Sequence, residues 1–299
     1  WGEPAAALVV VQNTMVQELI LRFGGEELRD RWLPALGSGS VLGCVALAEE
    51  GAGSDLGAVR TRAVRSVEGW VLDGEKRWVS QARGASLAVV LARSHPAGGG
   101  GEGELSLFLA PTDAPGFQVG RRESTLGLRP LHIASVTLRG LVLPPGALVG
   151  RPGLAPHALG VVARTARLGL AAVACGIARA AFEHALAYAG QREQFGQKLR
   201  EFEGMQFKLA DMATRVEAAR ALALRAAYTP DERVASMARL FASEVAEWVT
   251  IQAVQVFGGY GYMKDYPVEK LFRDAKAIGL LEVPNEVVRA TLARELYEP

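Results

Sequence analysis

The spacing of apolar residues divides the chain into three segments. Residues 4–31 predict helix, because apolar side chains recur there at intervals of three and four until Gly24-Gly25. From about Val41 to Gly150 the pattern changes to short β-branched and apolar runs broken by turn residues. Strands at roughly ten-residue spacing, with no helices between them, predict an antiparallel sandwich or barrel and not a parallel sheet.

The third segment returns to helical spacing. Long Ala-, Leu-, Arg- and Glu-rich stretches predict helices over 157–190, 203–227, 231–257 and 285–297, with a shorter one at 267–277. Long helices with apolar faces favour an antiparallel four-helix bundle. The predicted fold is therefore α+β and multidomain. It has a helical segment at 1–40, an antiparallel β-sandwich or barrel middle domain at 41–151 and a C-terminal four-helix bundle domain at 152–299.

Composition and charge remove several classes of function. The chain is 49% hydrophobic and 22% charged, and its net charge of +1 gives no basic surface for a nucleic acid. Polar residues interrupt each apolar run before it reaches membrane-spanning length, so no membrane insertion is expected. Cys44 and Cys175 are too few for a disulfide framework, and we expect both to be buried. No His or Cys spacing predicts a metal site.

Several motifs, in a fixed order, carry a resemblance to a known family. Leu47–Asp55 reads LAEEGAGSD and is similar to LTEPGAGSD, and Arg192–Gly196 is similar to R-x-x-F-G. Gln255–Tyr262, Tyr266–Lys270 and Arg273–Lys276 resemble the run Q-x-x-G-G-x-G, YPVE and RDAK. Each motif is short, but together, in this order and spacing, they resemble the acyl-CoA dehydrogenases.

The resemblance implies a soluble, FAD-dependent oxidoreductase of fatty acid metabolism. Its substrate would be an acyl-CoA thioester, and its electrons would pass to an electron-transferring flavoprotein. The family assembles as homodimers or homotetramers, in the bacterial cytoplasm or, in eukaryotes, in the mitochondrial matrix. Its first helices flank the acyl pocket and precede the matching segment. Residues 1–40 would then be a remnant of the N-terminal helical domain, in either a fragment or a truncated gene product.

The family's catalytic base lies just after the RDAK helix, in a Y-E-G-T loop. The matching residue is Glu282, whose carboxylate would take the substrate α-proton while its backbone N–H binds the thioester oxygen. Some members carry the base on a core helix before an arginine. That arginine corresponds to Arg167, and Ala166 before it cannot act as a base. Arg167 is expected to contact CoA or the Glu282 loop, or to form a buried ion pair.

Three substitutions set the Glu282 loop apart from the family pattern. Leu281 replaces an aromatic residue, Val283 replaces Gly and Pro284 replaces a helix-capping Thr. Pro284 suits a first helical position, where its missing N–H would have no partner. Val283 is expected to resist the positive φ that a glycine often marks, which would move Glu282 relative to the family's geometry.

The flavin-contacting residues of the family match positions in the β segment. Trp78, Val79 and Ser80 resemble its W-I-T strand, in which the indole packs near the isoalloxazine and the hydroxyl reaches N5. The alternative for Trp78 is a core position. Ala48 stands where a Thr hydroxyl reaches the flavin, so that one hydrogen bond is lost. Ser54 matches the residue near the pantetheine and phosphates of CoA, and an ordinary turn is its alternative.

A second set of residues implies that subunits share the cofactor. Arg192 matches an arginine that reaches the flavin pyrophosphate across a subunit interface, and Phe195 accompanies it. Gln255 and Gly259 match positions that receive the adenylate half. The alternative for Arg192 is a solvated or salt-bridged surface residue.

Two other functions remain open from the sequence. A family relative could use flavin as an oxidase or monooxygenase, although a glutamate at position 282 favours the dehydrogenase. A truncated or degenerate member could instead have only a structural or interaction role. Ala48, Val283 and Pro284 favour that alternative.

Overall fold

The structure, a computed structural model, describes residues 3–95, 98 and 101–297. These residues form two compact units. The β unit comprises Val9–Thr125 and Arg129–Thr165, and the helical unit comprises the residues up to Leu8, Leu126–Leu128 and those from Ala166 onward. The boundaries drawn from the sequence near residues 40 and 151 stay a prediction.

Two helices begin the chain, α1 (Pro4–Phe23) and α2 (Glu26–Ser38). Gly24 ends α1 because its N–H donates to the Ile20 carbonyl at 2.8 Å, and a Cβ at this position would lie 2.6 Å from that oxygen. Gly39 caps α2 with a φ of 72°. The helix predicted over 4–31 is confirmed, and α2 extends the helical segment to Ser38.

The β unit contains one seven-stranded sheet. Its strands are β1 (Gly43–Ala46), β2 (Arg62–Arg65), β3 (Trp70–Val79), β4 (Leu87–His95), β5 (Glu104–Pro111), β6 (Phe117–Arg122) and β7 (Ala134–Leu143). One edge of β4 pairs with β5, so β1 and β2 lie along its other edge. The sheet continues from β2 through β3 and β7 to β6.

The prediction of a purely antiparallel sheet is wrong for two of these pairs. β1 and β2 both run parallel to β4, whereas the other strand pairs are antiparallel. β1 pairs with the start of β4 and β2 with its end, so residues 47–61 carry the chain forward along one edge. Strand spacing alone does not reveal this, because both strands are four residues long.

The helical unit contains most of α3 (Ala155–Gln191) and the whole of α4 (Glu203–Tyr228), α5 (Glu232–Phe257), α6 (Pro267–Ile278) and α7 (Asn285–Tyr297). A short hairpin, β8 (Glu193–Gln194) and β9 (Gln197–Lys198), separates α3 from α4. The predicted helices are confirmed within a few residues. α5 packs against α4, α6 and α7. The four-helix arrangement itself stays a prediction.

Two helices are long and apolar enough to span a membrane by length and composition, Pro4–Phe23 and Ala155–Gln191. Their most apolar 18-residue windows have mean hydropathies of 1.3 and 1.5, so the expectation that no run reaches this length is wrong. Core helices of soluble proteins meet the same criterion. In α1, Val16, Leu19 and Ile20 are buried against Leu36 of α2 and the sheet residues around Val89.

Burial differs between the two cysteines. Cys44 is fully buried in β1, as expected, and burial raises the pKa of its thiol to about 12. Cys175 on α3 is only partly buried, which corrects the expectation that both thiols are enclosed. Burial still raises the pKa of Cys175 to about 11, so both thiols stay protonated at neutral pH.

Candidate functional site

Glu282 lies in the short loop between α6 and α7 and has a strained backbone. Its φ is 66°, a left-handed conformation that costs a residue with a Cβ about 1–3 kcal/mol. Val283 is not among the residues with positive φ, so the left-handed conformation falls on Glu282 and not on the residue that replaces the glycine of the family pattern. The backbone of Glu282 is exposed, whereas its side chain is only 17% exposed.

Arg167 on α3 binds the Glu282 carboxylate. Its Nε donates to Glu282 Oε1 at 3.1 Å, and its Nη1 donates to the Ser236 hydroxyl on α5 at 2.8 Å. The Arg167 side chain is 14% exposed. Of the alternatives for Arg167, the structure supports contact with the Glu282 loop, in the form of a largely buried ion pair. Ala166 beside it is buried and carries no proton acceptor.

Burial and the neighbouring charges shift the pKa of the Glu282 carboxyl in opposite directions. Burial raises the pKa of its carboxyl above the ordinary glutamate value, and the cations Arg167 and Arg239 limit that rise. A carboxylate with a raised pKa is a stronger base than a solvated one. The Glu282 side chain is only 17% exposed, which disfavours the alternative of a solvated loop carboxylate.

Arg239 is a residue of this site that the motifs did not indicate. It lies on α5, its side chain is fully buried, and its Nη2 donates to the carbonyls of Leu281 at 2.7 Å and Val283 at 2.5 Å. A third, longer contact reaches the Ile278 carbonyl at 3.5 Å. The available signal was a single arginine among the alanines of the buried face of α5.

Trp78 lies at a β-bulge in β3. The register between β3 and β7 shifts between Lys76 and Val79, and the φ of Trp78 is 55°. Bulges redirect side chains, and the indole here is 52% exposed, while Val79 next to it is buried. The alternative that Trp78 is a core residue is therefore wrong. Ser80 follows directly and is partly exposed.

The loop after β1 carries Ala48 and Ser54. The Ala48 carbonyl accepts a hydrogen bond from the Arg77 backbone at 2.9 Å, which fixes this loop beside β3. Ser54 is exposed in a bend of the loop. Ala48, Ser54, Trp78, Val79 and Ser80 all lie in the β unit, within two adjoining stretches of chain.

Glu49 and Lys76 form an ion pair under this loop. Lys76 Nζ donates to Glu49 Oε1 at 2.7 Å, and the Lys76 side chain is fully buried. Burial lowers the pKa of Lys76 to about 8 despite the carboxylate. Burial also raises the pKa of Glu49, but hydrogen bonds from Lys76 and the backbone of Arg60 and Thr61 outweigh it and hold that pKa below the ordinary value.

The helical unit has a cleft of about 550 Å³ between the ends of α3 and α5. Three residues predicted from the motifs, Arg192, Gln255 and Gly259, line it together. The Arg192 guanidinium lies 5.4 Å from the centre of the Tyr260 ring. The cleft thus combines a guanidinium, an amide, an aromatic face and an exposed glycine backbone.

Phe195 lies at the tip of the β8–β9 hairpin, next to this cleft. Phe195 and Gly196 have φ values of 54° and 78°, as a type I′ turn requires at both central positions. The Phe195 side chain is 96% exposed. The turn thus holds an aromatic side chain in solvent beside the cleft.

Each of the two units, taken by itself, carries residues that fit part of the FAD that the resemblance implies. The cleft of the helical unit has the size of a small-molecule site, and its donors suit an anionic nucleotide. In the β unit, Trp78 offers an exposed aromatic face beside the Ser80 hydroxyl. In the described part of the chain, no three His, Cys, Asp or Glu side chains cluster as metal ligands would.

Comparison with known proteins shows which family this chain belongs to. Residues 44–141 match the acyl-CoA dehydrogenase middle domain, and residues 160–297 match the acyl-CoA dehydrogenase C-terminal domain. The chain is 41% identical over 294 residues to an acyl-CoA dehydrogenase of Bacillus subtilis, which covers 97% of this chain and 77% of that protein. It is 39% identical to the mitochondrial short-chain specific acyl-CoA dehydrogenase of Bos taurus, over 97% of this chain and 71% of that protein.

Solved structures agree with this match. Butyryl-CoA dehydrogenase from Megasphaera elsdenii superposes with a TM-score of 0.93 at 31% identity, over 99% of this chain and 78% of that one. A chain in a structure described as the electron transferring flavoprotein of Acidaminococcus fermentans superposes with a TM-score of 0.92 at 34% identity. The match covers 98% of this chain and 78% of that one. The chain thus shares its fold with both solved structures.

Proposed function

The chain belongs to the acyl-CoA dehydrogenase family and is an oxidoreductase, and from this premise we propose that it oxidises an acyl-CoA thioester between Cα and Cβ with FAD as cofactor. The observation that carries the proposal is Glu282, a carboxylate with a buried side chain in the loop after the RDAK helix, hydrogen-bonded to Arg167. Its place in the chain matches the family's base.

Glu282 removes the α-proton of the thioester in this proposal. The α-proton is a weak acid, so the base needs a raised pKa, which burial of Glu282 supplies. The backbone N–H of Glu282 donates to the thioester oxygen and stabilises the charge that develops there. Arg167 holds the carboxylate from the side of α3, and Ser236 in turn orients Arg167.

FAD, when bound, supplies the acceptor for the hydride that leaves Cβ. Trp78 and Ser80 would hold the isoalloxazine through the indole face and the hydroxyl, and the Ala48 and Val79 backbones would line it. Ser54 would contact the CoA moiety. Arg192, Gln255 and Gly259 would receive the pyrophosphate and adenylate of the FAD of a neighbouring subunit.

The proposed assembly is a homodimer or homotetramer in which Phe195 lies against the partner. Its 96% exposure in a strained turn supports this placement. The proposed electron acceptor is an electron-transferring flavoprotein, and the proposed compartment is the bacterial cytoplasm or the mitochondrial matrix. Light scattering at tens of micromolar tests the assembly, and a monomer would contradict it.

The visible spectrum of the purified protein tests the proposed activity. We expect flavin bands that bleach when acyl-CoAs of increasing chain length are added without oxygen. Bleaching that is reversed by electron-transferring flavoprotein, and only slowly by oxygen, identifies the dehydrogenase. Rapid reoxidation by oxygen would instead identify an oxidase, the activity named for one structural relative, a prolyl acyl carrier protein oxidase. Purified protein that binds no FAD would contradict the proposed activity and favour a structural or interaction role.

A further inference from the structure

We propose that Arg239 is a positioning residue that fixes the Glu282 loop from beneath and keeps the carboxylate in its proton-accepting form. The inference rests on the proposed role of Glu282 and adds a second cation, on a different helix from Arg167. No acyl-CoA dehydrogenase motif named above includes Arg239. Its support is the set of contacts that surround its guanidinium.

The first step of the argument is the hydrogen bonding of the loop. Arg239 Nη2 donates to the carbonyls of Leu281 and Val283, the residues on either side of Glu282. A residue with a Cβ at a φ of 66° needs its neighbours held in place, because the left-handed conformation is disfavoured. The Leu281 carbonyl belongs to the peptide group directly before Glu282, and the Val283 carbonyl belongs to the second peptide group after it, so Arg239 restrains the chain on both sides of this residue. The strained backbone of Glu282 therefore depends on α5.

The second step is charge. The Arg239 side chain is fully buried, and in the part of the chain that the structure describes it forms no salt bridge. Its Nε and Nη1 also lack hydrogen-bond partners there. A buried cation without a paired anion acts strongly on nearby ionisable groups, because little water screens it. Burial lowers the pKa of Arg239, and the anions Glu282 and, from α7, Glu286 oppose that shift, while Arg167 adds to it.

The charges that face Glu282 therefore come from two helices. Arg167 reaches it from α3 through a hydrogen bond, and Arg239 acts from α5 through space. Both favour the carboxylate, against the burial that favours the neutral acid. Arg167 binds a carboxylate oxygen directly, whereas Arg239 binds only the backbone of the loop. Arg239 can thus act on the base without forming a hydrogen bond to the Glu282 carboxylate oxygens.

Two substitutions separate the charge of Arg239 from its hydrogen bonds. Arg239→Gln keeps N–H donors for the loop carbonyls and removes the charge, whereas Arg239→Lys keeps the charge with a different donor geometry. Loss of a buried unpaired charge is often tolerated, so the Gln variant is expected to fold. Circular dichroism and FAD content check that both variants are intact.

The first readout is the pH profile of flavin bleaching by a saturating acyl-CoA. For Arg239→Gln we expect the acid limb to move to higher pH, with bleaching several-fold slower than wild type on the acid side and recovering in alkali. For Arg239→Lys we expect an acid limb close to that of the wild type. A structural defect alone would slow bleaching equally at each pH.

The second readout does not depend on activity. Infrared difference spectra against Glu282→Gln isolate the carbonyl stretch of the protonated Glu282 acid during a pH titration. In Arg239→Gln that band should persist to higher pH than in wild type, and in Arg239→Lys it should not. An unchanged titration in Arg239→Gln overturns the inference. A fully active Glu282→Gln overturns the base assignment instead, and the infrared titration still reports on Arg239.

Discussion

Arg167 Nε donates a hydrogen bond to Glu282 Oε1 at 3.1 Å, and this contact joins Glu282 to the residue that follows Ala166. The resemblance places a catalytic base at one of two positions, which Ala166 and Glu282 occupy in this chain. The pair leaves one proton acceptor and one cation at the proposed reaction centre. A carboxylate held by one guanidinium Nε–H keeps its second oxygen for the substrate.

The first prediction concerns that second oxygen. Glu282→Gln keeps the size and the backbone N–H of the residue but removes the proton acceptor. Since general-base catalysis contributes about 10²–10⁴-fold, we expect bleaching by acyl-CoA to slow by about that factor, with FAD and acyl-CoA still bound. Stopped-flow absorbance measures the rate. A glutamine variant that bleaches at the wild-type rate would remove Glu282 from the mechanism.

The pH profile of the wild type gives a related prediction. Glu282 acts only when ionised, and its pKa is raised by burial. The acid limb of the bleaching rate should therefore lie at higher pH than the ordinary pKa of a glutamate. Arg167→Gln removes a hydrogen bond and a charge that lower this pKa, so its acid limb should move further upward. A downward shift in Arg167→Gln would contradict the arrangement.

Backbone strain at Glu282 predicts an unusual order of stability. At an ordinary position glycine is less stable than alanine, but at a φ of 66° the Cβ of alanine is disfavoured. Both Glu282→Gly and Glu282→Ala lose the carboxylate, so their difference isolates the strain. We expect the glycine variant to be more stable by about 1 kcal/mol in urea unfolding. Greater stability of the alanine variant would contradict the left-handed conformation.

The cleft around Arg192 predicts an effect on FAD affinity. Charge-assisted hydrogen bonds contribute about 1.5–3 kcal/mol, so Arg192→Ala should weaken FAD binding by about ten- to a hundredfold. Arg179→Ala is a matched control, because Arg179 is an exposed arginine on α3, which ends just before Arg192, and lies outside this cleft. Fluorescence titration of the apoprotein measures both. Equal affinities for the two variants would show that the cleft does not receive the cofactor.

Sequence patterns indicated most of the helices and the residues that lie within motifs. Arg192 precedes Gln255 by 63 positions, yet the motifs assigned both residues, with Gly259, to one cofactor, and the three line one cleft. Trp78 and Ser80 were predicted in the same way. Their roles toward the cofactor stay predictions, and the structure shows only that Arg192, Gln255 and Gly259 line one cleft and that Trp78 is exposed beside Ser80.

Other features depended on geometry that residue types do not encode. The positive φ belongs to Glu282 and not to Val283, in a loop whose Leu281 and Val283 carbonyls accept hydrogen bonds from Arg239. Arg239 itself lies between Ala238 and Leu240, outside the motifs. The parallel pairing of β1 and β2 with β4 depends on the path of residues 47–61, which strand propensity does not describe.

The last prediction concerns the buried pair of Glu49 and Lys76. Lys76→Met leaves Glu49 without its cation, and breaking a buried pair costs about 3–5 kcal/mol. In the double variant Glu49→Gln/Lys76→Met, the glutamine oxygen can still accept from the Arg60 and Thr61 backbone, so most of that loss should be recovered. Urea unfolding of the wild type, Glu49→Gln, Lys76→Met and the double variant gives the coupling energy between the two side chains. Additive effects of the two substitutions would contradict a specific pair.

The same pair predicts a dependence of stability on pH. Unfolded lysine keeps its proton up to a pKa of 10.5, whereas folded Lys76 releases it near 8. Between these values the unfolded state binds more protons, so Lys76 adds stability as the pH rises from about 8 to 10.5. The difference in unfolding free energy between wild type and Lys76→Met should therefore grow across this window in favour of the wild type. Parallel pH curves for the two proteins would show that the Lys76 amine titrates as it does in water, and the buried pair would then make no contribution of this kind.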